Sequence, residues 1–179
     1  MTTADQIPDG EAALTALVER MRGAVAHDAA FVGIYTGGAW LAELLAKLIP
    51  GEHPLGFIDV SYYRDDYSQV GLKGGAKRTD LPFDVQGANI VLVDDVLYTG
   101  RSVRAAINEL FDFGRPARIE LAVLVDRGGR ELPFEPTYCG VRLAVARDLS
   151  IVVSRDGDRP RIAAEPGARM SAAAKRGYK

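Results

Sequence analysis

Asp94 and Asp95 are adjacent carboxylates at the end of an apolar run, Ile90-Val-Leu-Val93, and a turn of hydroxyls and glycine follows, Tyr98-Thr-Gly-Arg-Ser102. Two neighbouring carboxylates can accept hydrogen bonds from vicinal hydroxyls, such as the pair on a ribose. Backbone N–H groups of a turn that opens a helix make an anion site. Gly100 lets the backbone approach a ligand closely, and Thr99 and Ser102 add hydroxyl donors. The segment therefore suits a sugar with a phosphate at one end and hydroxyls at the other. The plainer alternative is that Asp95 or Thr99 merely caps the helix. A cap needs one such residue, whereas here two acids precede the glycine turn. Neither G-x-x-x-x-G-K-[ST] nor G-x-G-x-x-G occurs in the chain.

The elements around this segment have to carry it. Leu14, Leu17, Val18, Met21 and Val25 recur at helical spacing after Asp9, a capping residue. Ala30 to Tyr35 reads as a buried strand, broken by Thr36-Gly37-Gly38. A helix follows with Trp40, Leu41, Leu44, Leu45 and Leu48 on its apolar face. Leu55 to Tyr62 and Ile90 to Val93 read as strands, and Val103, Ile107, Leu110 and Phe111 mark a helix between the Thr99-Gly100 turn and Gly114-Arg115-Pro116. Ile119 to Val125 is a further strand, and residues 137–153 hold two more. Alternating helices and strands, with strands apolar on both faces, predict an α/β fold: a mostly parallel central sheet flanked by helices. In such sheets ligands bind at the carboxyl ends of the strands. The loops at 36–38, 63–80, 94–102 and 126–130 fall there. The 67–80 stretch is long, polar and glycine-bearing, which reads as a mobile lid. Residues 1–163 read as one domain and 164–179 as a flexible tail.

With 22 basic and 24 acidic residues the net charge is −2, so nothing draws the whole chain toward nucleic acid or anionic membrane. Cys139 is the single cysteine, which excludes an intrachain disulfide and a cysteine-bound zinc, and it reads as a small buried hydrophobe. Residues 1–10 lack a basic region followed by an apolar run, and no apolar stretch nears the ~20 residues of a membrane span. These features point to the cytoplasm and to no membrane partner.

Ile90 to Ser102 resembles the phosphoribosyl-pyrophosphate-binding motif of the type I phosphoribosyltransferases. The form Asp-Asp-Val-Leu-Tyr-Thr-Gly-Arg is similar, more narrowly, to the bifunctional pyrimidine operon attenuators that are also uracil phosphoribosyltransferases. Tyr62-Tyr-Arg-Asp-Asp66, Asp80-Leu-Pro-Phe-Asp-Val85, Phe113-Gly-Arg-Pro116 and Leu121-Ala-Val-Leu-Val-Asp-Arg-Gly128, running on to Arg130-Glu-Leu-Pro133, fit the same family. The resemblance spans about residues 10–155. It implies the type I fold with a small hood and a mobile loop. It also implies transfer of the phosphoribosyl group to uracil, giving uridine monophosphate (UMP) and pyrophosphate, with magnesium bound largely through the substrate. Asp94 and Asp95 would hold the ribose hydroxyls and the metal, and Tyr98, Thr99, Gly100, Arg101 and Ser102 would cradle the 5′-phosphate. Thr36, Gly37 and Gly38 match the pyrophosphate loop, Arg64 would reach the pyrophosphate, and Lys77 and Arg78 would close over it. Val125, Asp126 and Arg127 match the segment that faces the base. A homodimer or larger assembly is implied, and pyrimidine leader RNA is a further implied partner.

Two departures bear on these roles. Many family members carry Arg where this chain has Gly37, so Gly37→Arg is expected to tighten phosphoribosyl pyrophosphate binding unless Gly37 needs a positive φ. Many attenuators carry His where this chain has Gly129, and a Lys-bearing stretch where it reads Val145-Ala-Arg-Asp-Leu-Ser150. Both changes in that second region weaken the expectation of RNA binding. A regulator that uses the nucleotide site only as a sensor and a transferase for another base are the competing readings.

Overall fold

The computed structural model describes residues 7–60 and 79–167. Asp9 starts α1 (Gly10–Met21), its carboxylate accepting from the Ala12 N–H at 3.3 Å, as the sequence indicated. Then come β1 (Ala30–Ile34), α2 (Gly37–Leu48), β2 (Leu55–Ile58), β3 (Asn89–Leu97), α3 (Arg101–Phe113), β4 (Arg118–Asp126) and β5 (Tyr138–Arg142). The described chain finishes with β6 (Leu149–Asp156) and β7 (Arg159–Pro166). Five strands form one parallel sheet in the order β2-β1-β3-β4-β5.

The uninterrupted apolar strands are explained by two cores. Ile90 and Leu92 of β3 face Val103, Ala106 and Leu110 of α3, together with Val32 and Ile34 of β1. Val91 and Val93 face the other way, toward Leu17 and Met21 of α1 and Leu41 and Leu45 of α2. Each such side chain, fully buried, contributes roughly 1.5–3 kcal/mol of transfer free energy. A strand covered on both sides has no polar face to show, so alternation disappears from its sequence.

The strand order also sets where a ligand goes. From β1 the chain steps to β2 on one side, then returns to β3 on the other. Connections leaving β1 and β3 thus diverge, and a crevice opens between their carboxyl ends. Those ends carry Tyr35-Thr36-Gly37 and Asp94 to Gly100.

The antiparallel pair β6–β7 is a separate two-stranded sheet, joined by a two-residue turn in which Gly157 has φ +61°. Its Ile151, Val153, Ile162 and Ala164 pack on the α1 side of the core. Gly10 lies so close to the Pro160 carbonyl that a Cβ would fall on it, so α1 and β7 meet backbone to backbone.

Several expectations need adjusting. Gly37 and Gly38 form the first turn of α2 instead of a separate loop, and β3 continues through the acidic pair to Leu97. The paired strand β7 runs to Pro166, past the boundary expected at residue 163. The sequence reading placed no strand at β7. The lid expected over 67–80 lies outside the described residues except at its end, where Asp80 pairs with Phe57 through two backbone hydrogen bonds. Residues 168–179 of the expected tail also lie outside them.

Candidate active site

The crevice is a cavity of about 710 Å³, within the few-hundred to 1,000 Å³ common for small-molecule sites. Its floor is the end of β3 and the start of α3. Gly100, at φ +89°, is the residue before the first turn of α3, and no side chain caps the helix there. The cap position is thus a glycine, and the helix N-terminus faces the cavity through Gly100, Arg101 and Ser102. Thr99 Oγ1 accepts from the Arg101 N–H at 3.3 Å, a long bond that bends the turn without closing it. The Thr99 carbonyl accepts from both Glu131 and Leu132 N–H at 3.0 Å, so the 131–134 segment braces the turn from outside. Arg101 leans outward to Glu131, at 2.8 Å.

Asp94 is only 9% exposed, and its Oδ1 accepts from the Asp95 N–H at 3.0 Å. Asp95 Oδ1 accepts from the Val96 N–H at 2.9 Å. Both carboxylates line the cavity. Opposite them, past a cis Tyr35–Thr36 peptide, the first turn of α2 brings Thr36 and Gly37 to the same wall. A Cβ on Gly37 would fall on the Asp95 carboxylate, and one on Gly38 would fall on the Val93 carbonyl. The two glycines thus let α2 press against the acidic strand. Gly37 does not have a positive φ, so its constraint is space and not backbone strain.

The β4 end behaves differently. Val125 is fully buried in the core, and Asp126, 4% exposed, is held by Arg130 Nη2 at 2.7 Å and the Gly128 N–H at 3.0 Å. Neither lines the cavity, whereas Arg127 does. Arg130 also donates to the Phe134 carbonyl at 2.8 Å and the Tyr98 carbonyl at 2.9 Å, fastening the segment to the turn before α3. The Arg127 guanidinium carbon stands 3.9 Å from the centre of the Tyr98 ring. Gly129, at φ +76°, lies against the same ring: a Cβ there would meet Tyr98 Cε2 at 2.5 Å. A histidine at 129 has no room in this arrangement.

The strand β6 supplies the roof, with Ser150, Ser154, Arg155 and the apolar residues between them, and Trp40 of α2 adds a side wall. Sequence reasoning missed these. The Ile151/Val153 alternation marks a strand, but nothing in it says which cavity the strand covers. Arg64, Lys77 and Arg78 lie outside the described residues. Cys139 is partly buried, its thiol donates to the Val141 carbonyl at 3.2 Å, and burial raises its pKa, as befits a packing residue.

The profile described as "Phosphoribosyl transferase domain" matches residues 3–144. The chain belongs to the phosphoribosyltransferase family. "Bifunctional protein PyrR" of Ralstonia nicotianae is 52% identical over 160 residues, covering 87% of this chain and 91% of that protein. Among solved phosphoribosyltransferases, a hypoxanthine-guanine enzyme of Bacillus anthracis superposes with a TM-score of 0.61 at 19% identity, covering 82% of this chain and 87% of that one. The hypoxanthine enzyme of Trypanosoma cruzi gives 0.65 at 17% identity, covering 98% and 97%. At these identities the superpositions establish the fold, the type I phosphoribosyltransferase fold that the family resemblance implied.

Proposed function

We propose that the chain transfers the phosphoribosyl group of phosphoribosyl pyrophosphate to uracil, giving UMP and pyrophosphate. The observation that carries this reading is the convergence on one cavity of the acidic pair, the helix N-terminus of α3 and the glycine turn of α2. A PyrR relative at 52% identity over most of both chains favours a pyrimidine as acceptor. Backbone N–H groups from Gly100 to Ser102, aided by the α3 dipole, bind the 5′-phosphate. Asp94 and Asp95 accept from the ribose hydroxyls. The Thr36–Gly38 turn receives the pyrophosphate, and Arg64, Lys77 and Arg78 complete its charge balance.

The base nitrogen forms a bond to C1′ while the C1′–oxygen bond to pyrophosphate breaks. Positive charge develops on the ribose, and two carboxylates beneath it favour that state more than the ground state. Among the described residues no group of three or more His, Cys, Asp or Glu could cage a metal. Asp94 and Asp95, two hard carboxylates on one wall, would suit a magnesium ion brought in with the substrate. When bound, such an ion supplies charge neutralisation to the leaving group.

The decisive assay is a base panel with phosphoribosyl pyrophosphate and magnesium, products identified by mass. Uracil is expected to yield UMP, with turnover lost on chelation. Turnover of guanine or adenine in place of uracil would overturn the reading.

Specific RNA binding is expected to be weak. Arg127 is stacked on Tyr98 and Arg130 is committed to Asp126 and two carbonyls, so neither adds to an RNA-facing patch with Arg20, Arg22 and His27. Fewer available cations release fewer counterions, which lowers affinity and flattens its salt dependence. A filter-binding titration against the organism's own pyrimidine leader RNA checks this. Sub-micromolar binding, strengthened by UMP and not shared by an unrelated hairpin, would restore the regulatory role.

A further inference from the structure

A transferase acting on uracil has to deal with the N1 proton of the base, and the cavity offers little to receive it. The carboxylates that line it among the described residues are Asp94 and Asp95, both on β3 and both assigned to the ribose. No histidine among the described residues lines it. At the β4 end the candidate would be Asp126, but that carboxylate is buried, bonded to Arg130 and the Gly128 N–H, and 3.6 Å from Arg142. What faces the cavity there is a cation.

Arg127 is 6% exposed and forms no ion pair among the described residues. Its Nη2 makes a long 3.4 Å bond to the Ala146 carbonyl, and its Nε has no hydrogen-bond partner among them. The Tyr98 face, 3.9 Å away, is its main support. A buried guanidinium without a counter-charge is costly in the free protein. It becomes favourable when a ligand brings negative charge beside it. Burial pulls its pKa down and Tyr98 acts the other way, but guanidinium starts so high that it stays protonated.

We infer that Arg127, seated on Tyr98, activates uracil by stabilising negative charge on the base as its N1 proton leaves to solvent. This rests on the proposed transfer reaction and gives it a group that acts on the base. The N1–C1′ bond forms, the C1′–oxygen bond breaks with its electron pair going to pyrophosphate, and the proton is released. The guanidinium meets the charge spread over the adjacent base carbonyl from a buried position, where it is worth more than in solution. Tyr98 holds the guanidinium plane in place, and Gly129 holds Tyr98 in place.

The test compares uracil with 5-fluorouracil, whose N1–H is more acidic and needs less help to ionise. In Arg127→Gln, kcat/KM for uracil is expected to fall on the order of 100-fold, as when one charge-stabilising donor is removed. The loss for 5-fluorouracil is expected to be smaller, so the ratio of 5-fluorouracil to uracil turnover rises about tenfold, with Arg127→Lys intermediate. A merely structural arginine would cost both bases equally. An unchanged ratio, or no loss, overturns the inference. If Arg127→Gln does not fold, the same comparison is made on Arg127→Lys, where a raised ratio supports the inference and an unchanged one overturns it. A wild-type protein inactive with both bases sinks the transfer reading itself, whereas an active wild type with unchanged variant ratios sinks only the role of Arg127.

Discussion

Asp95→Asn is expected to cut turnover by about 10- to 1000-fold, the range seen when transition-state electrostatics are weakened, while leaving the fold intact. The substitution keeps the shape and the Oδ1 acceptor that receives the Val96 N–H at 2.9 Å. It removes only the negative charge that lines the cavity. Asp94 is the more deeply buried of the pair and supports the Asp95 N–H, so the test is cleaner at 95. Steady-state kinetics with saturating uracil, beside a thermal unfolding curve, decide the matter. Full activity would mean that the ribose is held elsewhere. Unfolding would mean that the carboxylate is part of the scaffold.

Gly37→Arg is expected to weaken phosphoribosyl pyrophosphate binding, contrary to what counting charges in the sequence suggests. Adding a guanidinium to a pyrophosphate loop looks beneficial, because a charge-assisted contact contributes roughly 1.5–3 kcal/mol. In the folded chain, however, the first carbon of any side chain at 37 coincides with the Asp95 carboxylate. Either that carboxylate swings away from its place in the cavity wall or the first turn of α2 retreats from β3. Misplacement by about an ångström can cost on the order of 100-fold in rate, about as much as the added charge could contribute, and a displaced carboxylate gives up its own hold on the substrate as well. Gly37→Ala is expected to reproduce most of the loss, since the Cβ alone makes the collision. Calorimetric titration with phosphoribosyl pyrophosphate and turnover measurements on both variants check this. Tighter binding by the Arg variant would show that the loop can shift at little cost and that the site was short of charge after all.

These two positions show where reading the chain succeeds and where it stops. The acidic pair, the glycine turn and the helix start are consecutive residues. Their chemistry and their spatial relation both follow from local geometry, a strand running into a helix, and were legible at once. The parallel sheet was legible for a similar reason: strands buried on both faces, such as Ile90 to Val93, leave an uninterrupted apolar run. Gly37 is a different case. It and Asp95 are far apart in sequence and share one volume only because β1 and β3 are neighbours in the sheet. Val125, Asp126 and Arg127 are consecutive, yet one is core, one is a clamp partner and one faces the cavity. The side-chain period of β4 and the reach of Arg130 decide among them. The roof of β6 had no sequence marker either, because alternating apolar residues declare a strand without declaring what it covers. The sequence by itself determined the succession of acidic pair, glycine turn and helix start, which is local. Only tertiary structure decided which side chains exclude one another and which buried cation faces the cavity without a counter-charge among the described residues. Both depend on contacts between residues that the chain keeps far apart.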